Sequence, residues 1–262
     1  MRRLVLPILA VLIAACAQQG TVQGVPAAEL RTASDQTDAD RRAAPRLELA
    51  SLYFSRGQYE TALDEIKQAL VVRPDLVAAH NMRGLIYAAM GEERLADESF
   101  QRALALNPRD ADTMHNRAWF LCQRNRFAEA DELFEQAIAQ PQYRDVGRSL
   151  MAQGVCLARA NKLPDAERKL SRAYELDPAN PTTALNLSEV LYRRAEYERA
   201  RFYIRRVNSR EDLSNAQTLW LALRIEHRIG NRAGVEDFAR QLRSRFPQSP
   251  EALAYDRGRI DE

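Results

Sequence analysis

The sequence has few of the residues on which several classes of protein depend. Its 262 residues include only three cysteines, too few for a fold built on disulfides. They include only 10 glycines and 11 prolines, while Ala, Leu, Arg and Glu dominate beyond the N-terminal segment, which favours helix over sheet. Charge of one sign is also scarce: 38 Lys and Arg face 36 Asp and Glu, a net charge of +2. Because counterion release requires clustered surplus positive charge, this balance excludes a protein that coats nucleic acid.

Signatures of catalysis are missing as well. The three histidines, His80, His115 and His227, lie too far apart for a metal-binding pair at helical spacing. No Gly-rich phosphate loop and no Gly-x-Ser-x-Gly elbow occurs. The many carboxylates fall on predicted exposed helix faces beside arginines. We therefore predict a protein that is not an enzyme and has no cofactor, no metal site and no small-molecule substrate.

The chain begins with a segment typical of export. Arg2 and Arg3 precede an apolar run of twelve residues, 4–15, which is shorter than the roughly 20 residues that span a bilayer as a helix. The run ends Ile-Ala-Ala before Cys16, which resembles the lipobox of bacterial lipoproteins. The resemblance implies a signal peptide over residues 1–15 and acyl chains on Cys16 that hold the protein on a membrane. The alternative is an ordinary secretory signal, with Cys16 incidental.

Residues 16–42 contain almost no large apolar side chain, so we predict the lipidated cysteine followed by a flexible tether. As a coil it would span roughly 25–30 Å, enough to hold a folded part away from the membrane. Ala17 stands where enteric inner-membrane lipoproteins carry Asp, which favours the periplasmic face of the outer membrane.

The rest of the chain repeats with a period of about 34 residues. The first five units have a small residue at the eighth and twentieth positions and large apolar residues between them, and most units have a proline near the thirty-second. The sixth unit is degenerate but keeps the period. This pattern predicts helical hairpins that bury their apolar faces only by stacking. It resembles the tetratricopeptide repeat, which implies an all-α fold, a right-handed α-solenoid of about six repeats. The predicted repeats are 43–76, 77–110, 111–144, 147–180, 181–214 and 216–249, followed by a C-terminal tail, 250–262.

In tetratricopeptide arrays the first helix of each repeat lines the concave face. The positions that line it here are largely apolar in repeats one to four, which suits the apolar face of a partner segment. The predicted partner-binding groove consists of Leu47, Ser51, Phe54, Asn81, Leu85, His115, Trp119, Met151 and Val155. For any one of these residues, packing between helices is as good an interpretation as ligand contact.

Cys122 and Cys156 lie 34 residues apart, one repeat length, on the first helices of neighbouring repeats. Neighbouring helices pack about 8–10 Å apart, so a disulfide is sterically feasible, and the periplasm would permit it. The alternative is a pair of small buried thiols.

Several stretches point to a narrower family. Trp119-Phe120-Leu121-Cys122 followed by Gly154-Val155-Cys156, together with the lipobox and six repeats, is similar to the type IV pilus biogenesis lipoproteins, the PilF/PilW pilotins. The resemblance implies a protein that binds the type IV pilus secretin, the outer-membrane pore protein, and promotes its localisation and multimerisation. The alternative is another lipid-anchored scaffold, such as an adaptor for peptidoglycan hydrolases.

Overall fold

The computed structural model describes residues 37–260. The predicted signal peptide, Cys16 and most of the predicted tether lie outside the described residues. Within that range the regular structure is entirely helical. The helices are α1 (Asp38–Ser55), α2 (Tyr59–Val72), α3 (Val77–Met90), α4 (Glu93–Leu106), α5 (Ala111–Gln123), α6 (Phe127–Ile138), α7 (Val146–Arg159), α8 (Leu163–Leu176), α9 (Pro181–Arg193), α10 (Tyr197–Asn208), α11 (Ala216–Ile229), α12 (Arg232–Arg245) and α13 (Pro250–Asp256).

The turn inside each helical hairpin has the same backbone geometry in all six repeats. One residue, the fifteenth of its repeat, adopts a left-handed conformation with φ between 59° and 83°. The amide that follows donates to the carbonyl five residues earlier, at 2.9–3.0 Å, which is the bond of a Schellman C-cap. The left-handed residues are Gly57, Gly91, Asn125, Asn161, Ala195 and Gly230. Glycine and asparagine tolerate this conformation, whereas Ala195 occupies it at a steric cost.

The two helices of a hairpin approach closely where a small side chain faces a large one. A Cβ atom built on Gly84 would lie 2.6 Å from the ring of Phe100, and one built on Gly154 would lie 2.6 Å from Leu170 Cγ. Phe100 and Leu170 are fully buried. Because real carbon atoms do not approach to 2.6 Å, glycine is required at both crossings for this helix spacing.

The contacts between hairpins give the stack its curvature. The first helices of successive repeats (α1, α3, α5, α7, α9 and α11) each contact the next one in the series. Among the described residues, second helices of neighbouring repeats do not contact one another. Closely spaced first helices and separated second helices place the first helices on the inner, concave side of the curve. The prediction of an all-α repeat solenoid is confirmed.

The folded part begins earlier than the predicted tether allows. The prediction of tether through residue 42 is wrong for its last five residues, because α1 starts at Asp38. Acidic side chains in the first turn complement the helix dipole, and Asp40 forms an ion pair with Arg73 of the first repeat. Ala43, one residue beyond the predicted boundary, is already buried. At the other end, the predicted tail contains α13, which packs on α11 and α12 through Ala252.

The sixth repeat replaces an apolar seam residue with a buried charge. Glu226 takes the eleventh position, which holds Tyr or Leu in the other five repeats, and is 1% exposed. Its carboxylate accepts hydrogen bonds from Arg201 at 2.9 Å, Arg205 at 3.0 Å and Asn231 at 2.8 Å. A buried carboxylate satisfied in this way is tolerated, while the loss of its partners would leave an uncompensated charge.

Candidate interaction groove

The inner faces of α1, α3, α5 and α7 form a shallow surface that we call the apolar groove. Leu85 and Trp119 are half-buried there and pack at the edge of a core cluster that contains Phe120 and Cys122. Met151 and Val155 pack in the same way at the edge of the next cluster. Each side chain is thus anchored on one side and accessible on the other, as in a preformed binding surface.

The groove begins at the first repeat with Leu47, Ser51 and Phe54, which are also half-buried. The Phe54 ring lies 5.6 Å from the ring of Tyr59, measured between centroids. Such a tilted aromatic pair fixes the orientation of Phe54 at the mouth of the groove. The Ser51 hydroxyl donates to the Leu47 carbonyl at 3.1 Å, so it is satisfied within its own helix.

A short polar chain crosses the groove beside the apolar residues. The Asn116 side chain donates to Asn81 Oδ1 at 3.1 Å, and Arg148 donates to Asn116 Oδ1 at 3.3 Å. These bonds tie α3, α5 and α7 together along their inner faces. Asn81 therefore keeps its predicted place in the groove, with one of its polar atoms already engaged.

The prediction that His115 lines the groove is wrong. His115 is only 5% exposed, and its Nδ1 lies 2.7 Å from the hydroxyl of Ser149, one repeat further along. The Tyr143 hydroxyl lies 2.8 Å from the same Ser149 oxygen. The His115 ring also packs edge-on against Phe134, at 5.6 Å between centroids. Burial lowers the pKa of His115 to about 4, with a smaller contribution from the positive charge of Arg148.

Cys122 and Cys156 form a disulfide that joins α5 to α7, with Cα atoms 5.8 Å apart. Both residues are buried beneath the groove, next to Trp119 and Leu85. The two residues inserted between repeats three and four shift Cys156 from the twelfth to the tenth position of its repeat, yet the sulfurs still meet. The bridge fixes the spacing of α5 and α7, the last two of the four helices that form the groove.

Beyond repeat four the inner surface changes character, and sequence reasoning missed this change. Arg159, Arg193 and Arg228 occupy the same, thirteenth, position of repeats four, five and six, and Arg224 lies one turn before Arg228. We call these four residues the arginine ladder. The signal was present in the sequence, because an identical residue recurs at a spacing of one repeat.

Two kinds of site do not occur among the described residues. In residues 37–260, no group of three or more His, Cys, Asp or Glu side chains is placed to hold a metal ion. None of the helices in this range is both long enough and apolar enough to cross a membrane. The inner surface of the solenoid is therefore the feature on which a functional interpretation rests.

Sequence models of the tetratricopeptide repeat match most of this solenoid. They match residues 50–91, 77–110, 115–181 and 154–216, which together exceed half of the chain. The chain belongs to the tetratricopeptide repeat proteins. This family of repeats builds scaffolds that present a curved surface to other proteins.

Individual relatives narrow the family further. The type IV pilus assembly protein PilF of Pseudomonas aeruginosa is 27% identical over 205 residues, 78% of this chain and 81% of PilF. The crystal structure of PilW, described as a widely conserved type IV pilus biogenesis factor, superposes with a TM-score of 0.76. It is 29% identical and covers 81% of this chain and 97% of PilW. A Pseudomonas aeruginosa PilF structure gives a TM-score of 0.73 at 25% identity, covering 85% of this chain and all of that one.

These likenesses extend over nearly the whole solenoid rather than over one or two generic repeats. This tetratricopeptide repeat protein is homologous to the PilF and PilW type IV pilus biogenesis proteins, and the homology supports a role in type IV pilus biogenesis. The resemblance noted in the sequence is confirmed at this level.

Proposed function

We propose that this protein is an outer-membrane pilotin that binds the type IV pilus secretin in the apolar groove and promotes secretin localisation and multimerisation. The observation that carries the proposal is the groove itself. Its apolar side chains are anchored from below, accessible from above and held in register by the Cys122–Cys156 bridge. An exposed apolar surface of this kind is unfavourable in water unless a partner covers it.

In the proposed mechanism the protein binds secretin subunits and accompanies them to the outer membrane. A secretin segment with an exposed apolar face would lie in the groove, which shields it from aggregation. Acyl chains on Cys16 would keep the pair at one membrane surface. Confinement to a surface raises the local concentration of secretin subunits and so favours ring assembly.

Binding is tested directly with the purified secretin and variants of the groove. Leu85→Arg and Trp119→Arg each place a charge on the half-buried groove floor, where a bound apolar segment would have to desolvate it, so secretin binding should be lost. Val71→Arg is the matched control, since Val71 is 82% exposed on the second helix of its hairpin. Circular dichroism checks that all variants stay folded. Full binding by both folded groove variants would place the secretin site elsewhere.

Localisation requires a test in cells. A strain lacking the gene is complemented with wild-type protein or with Cys16→Ala, and secretin multimers are measured in separated membranes. The proposal expects multimers to disappear on deletion and to be misplaced to the inner membrane with Cys16→Ala. Normal multimers in every strain would refute the pilotin role and favour another lipid-anchored scaffold, whose partner a crosslinked pull-down would then identify.

A further inference from the structure

The arginine ladder continues the apolar groove along the same inner face. α7, α9 and α11 contact one another in series. Each carries a ladder arginine at the thirteenth position of its repeat, and α11 also carries Arg224. Arg159, Arg193 and Arg228 are exposed, and Arg224 is half-buried. A segment that leaves the apolar groove at repeat four therefore meets guanidinium groups at regular intervals.

The ladder arginines are held in place by neutral groups. Arg193 donates to the Ala158 carbonyl at 2.9 Å and to the Asn161 side chain at 3.0 Å, which brings it to the end of α7 beside Arg159. The guanidinium of Arg224 lies 4.9 Å from the centre of the Tyr192 ring. Cation–π contact of this kind orients the flat guanidinium while leaving N–H groups on its edge available.

Arg228 is held in the same way. Its guanidinium lies 5.0 Å from the centre of the Tyr197 ring, and the rings of Tyr192 and Tyr197 are 5.6 Å apart. Two arginines one helical turn apart thus rest on a pair of contacting tyrosines. Tyrosine and arginine are the side chains that most often dominate binding energy at protein interfaces.

None of the four ladder arginines has a carboxylate within 4 Å among residues 37–260. Arginines on the opposite side of the same repeats behave differently: Arg194 and Arg199 both pair with Glu167. The acidic residue on the inner face of α9, Glu189, is exposed and pairs with none of the ladder arginines. Like charges one turn apart on α11 repel each other, so the arrangement favours an external anion.

Helix dipoles account for only part of this pattern. Arg159, Arg193 and Arg228 lie in the last turns of their helices, where a positive charge is favourable. Arg224 lies in the middle of α11, and its Nε is buried without a hydrogen-bond partner. The helix dipole therefore does not account for the position of Arg224, whose charge has no carboxylate partner within residues 37–260.

We infer that the arginine ladder binds an acidic stretch of polypeptide, continuous with the apolar segment that occupies the apolar groove. This inference deepens the proposed function by assigning the chemistry of the partner: an apolar stretch followed by several Asp or Glu residues. Charge complementarity and continuity with the apolar groove support a polypeptide over a free anion.

The test uses a ladder variant and a control that changes the same charge. The ladder variant is Arg193→Gln, Arg224→Gln, Arg228→Gln. The control changes Arg102, Arg109 and Arg232 to Gln, since these are exposed arginines outside the inner face. Two probes are used: a fluorescent oligoglutamate peptide in anisotropy measurements, and the purified periplasmic part of the secretin.

We expect oligoglutamate to bind the wild type and the control, and to bind the ladder variant at least about tenfold more weakly, a change of about 1.4 kcal/mol. Binding should weaken steeply from about 50 to about 300 mM salt. An Arg193→Lys, Arg228→Lys variant, treated with a carbodiimide, should form amide crosslinks with carboxylates of the secretin. Mass spectrometry of these crosslinks then identifies the acidic stretch.

The outcomes separate this inference from the proposed function. Secretin binding that is unchanged by the ladder variant and insensitive to salt would overturn the ladder inference and leave the pilotin proposal standing. If oligoglutamate binds the wild type but not the ladder variant, and neither the wild type nor any variant binds the secretin, the ladder inference is upheld. The secretin is then refuted as the partner. Binding of phosphatidylglycerol vesicles instead of oligoglutamate, lost in the ladder variant, would reassign the ladder to the membrane surface and overturn the inference.

Discussion

Reduction of the Cys122–Cys156 disulfide should destabilise the solenoid by an amount that follows from its position in the chain. The bridge closes a loop with a sequence separation of 34. The chain-entropy relation gives about 4 kcal/mol for a loop of this length at 25 °C. That is a large share of the roughly 5–15 kcal/mol by which typical domains are stable.

The cleanest comparison uses the same side chains in both states. Urea unfolding of the wild type is followed by circular dichroism with and without a reductant, so no cavity is created by substitution. The reduced protein should unfold at a clearly lower urea concentration. A Cys122→Ala, Cys156→Ala variant should lie lower still, because both thiols are buried and their removal adds a packing cost.

Hydrogen exchange locates the effect. Because the bridge joins α5 to α7, reduction should increase exchange first in repeats three and four, the second half of the apolar groove. Superimposable unfolding curves of the oxidised and reduced protein would show that the bridge does not stabilise the solenoid. Labelling of both cysteines by thiol reagents, in protein isolated without reductant, would show that the bridge is absent from the native molecule.

Three further changes test the packing directly, each by urea unfolding. Gly154→Ala should cost about 1–3 kcal/mol, because its Cβ would clash with Leu170, whereas Gly147→Ala, with its nearest contact at 3.8 Å, should be neutral or stabilising; equal effects would contradict the close helix crossing. Ala195→Gly should stabilise by about 1 kcal/mol, because its left-handed φ of 60° is strained for alanine, and a loss of stability would refute that strain. Since the pKa of His115 falls from 6.5 to about 4 on folding, the unfolded state binds more protons between these pH values. The free energy of unfolding should therefore drop by up to about 3 kcal/mol as the pH falls from about 6.5 to 4, and this drop should be smaller in His115→Gln; an identical pH dependence would show that His115 does not titrate as described.

Much of the fold follows from the sequence because the repeat pattern is redundant. Small residues at the hairpin crossing, such as Gly84 and Gly154, and large residues opposite them recur at a fixed period, so each repeat supports the interpretation of the others. The left-handed turn residue recurs as well, and glycine or asparagine occupies it in five of six repeats.

The sixth repeat was predicted as degenerate, and the structure explains why. In the other repeats a small residue on the first helix faces a large one on the second. Here the sizes are exchanged, since Leu223 of α11 and Ala239 of α12 are both buried in one cluster. A pattern search that requires fixed sizes at fixed positions scores this as a mismatch, although the summed volume is kept.

The inner surface could be predicted only in part, because exposure depends on the register between repeats. The positional rule placed His115 on the concave face, but a hydrogen bond to Ser149 and contact with Phe134 draw it into the interior. The arginine ladder was missed for a different reason. The predicted groove was limited to apolar positions of repeats one to four, whereas the arginines recur across repeats four to six at a single position.

The two halves of the inner surface would contribute differently to one binding event. Contacts with the apolar groove require removal of water and close packing, so they mainly determine how slowly a partner dissociates. The arginine ladder acts at longer range, so it mainly determines how fast an acidic partner associates and how strongly salt opposes it. Ladder substitutions should therefore lower the association rate of the partner and flatten its salt dependence, whereas Leu85→Arg should abolish stable binding. An escort that must capture a subunit quickly and hold it until assembly needs both properties, and the change of side-chain chemistry after repeat four separates them along one continuous groove.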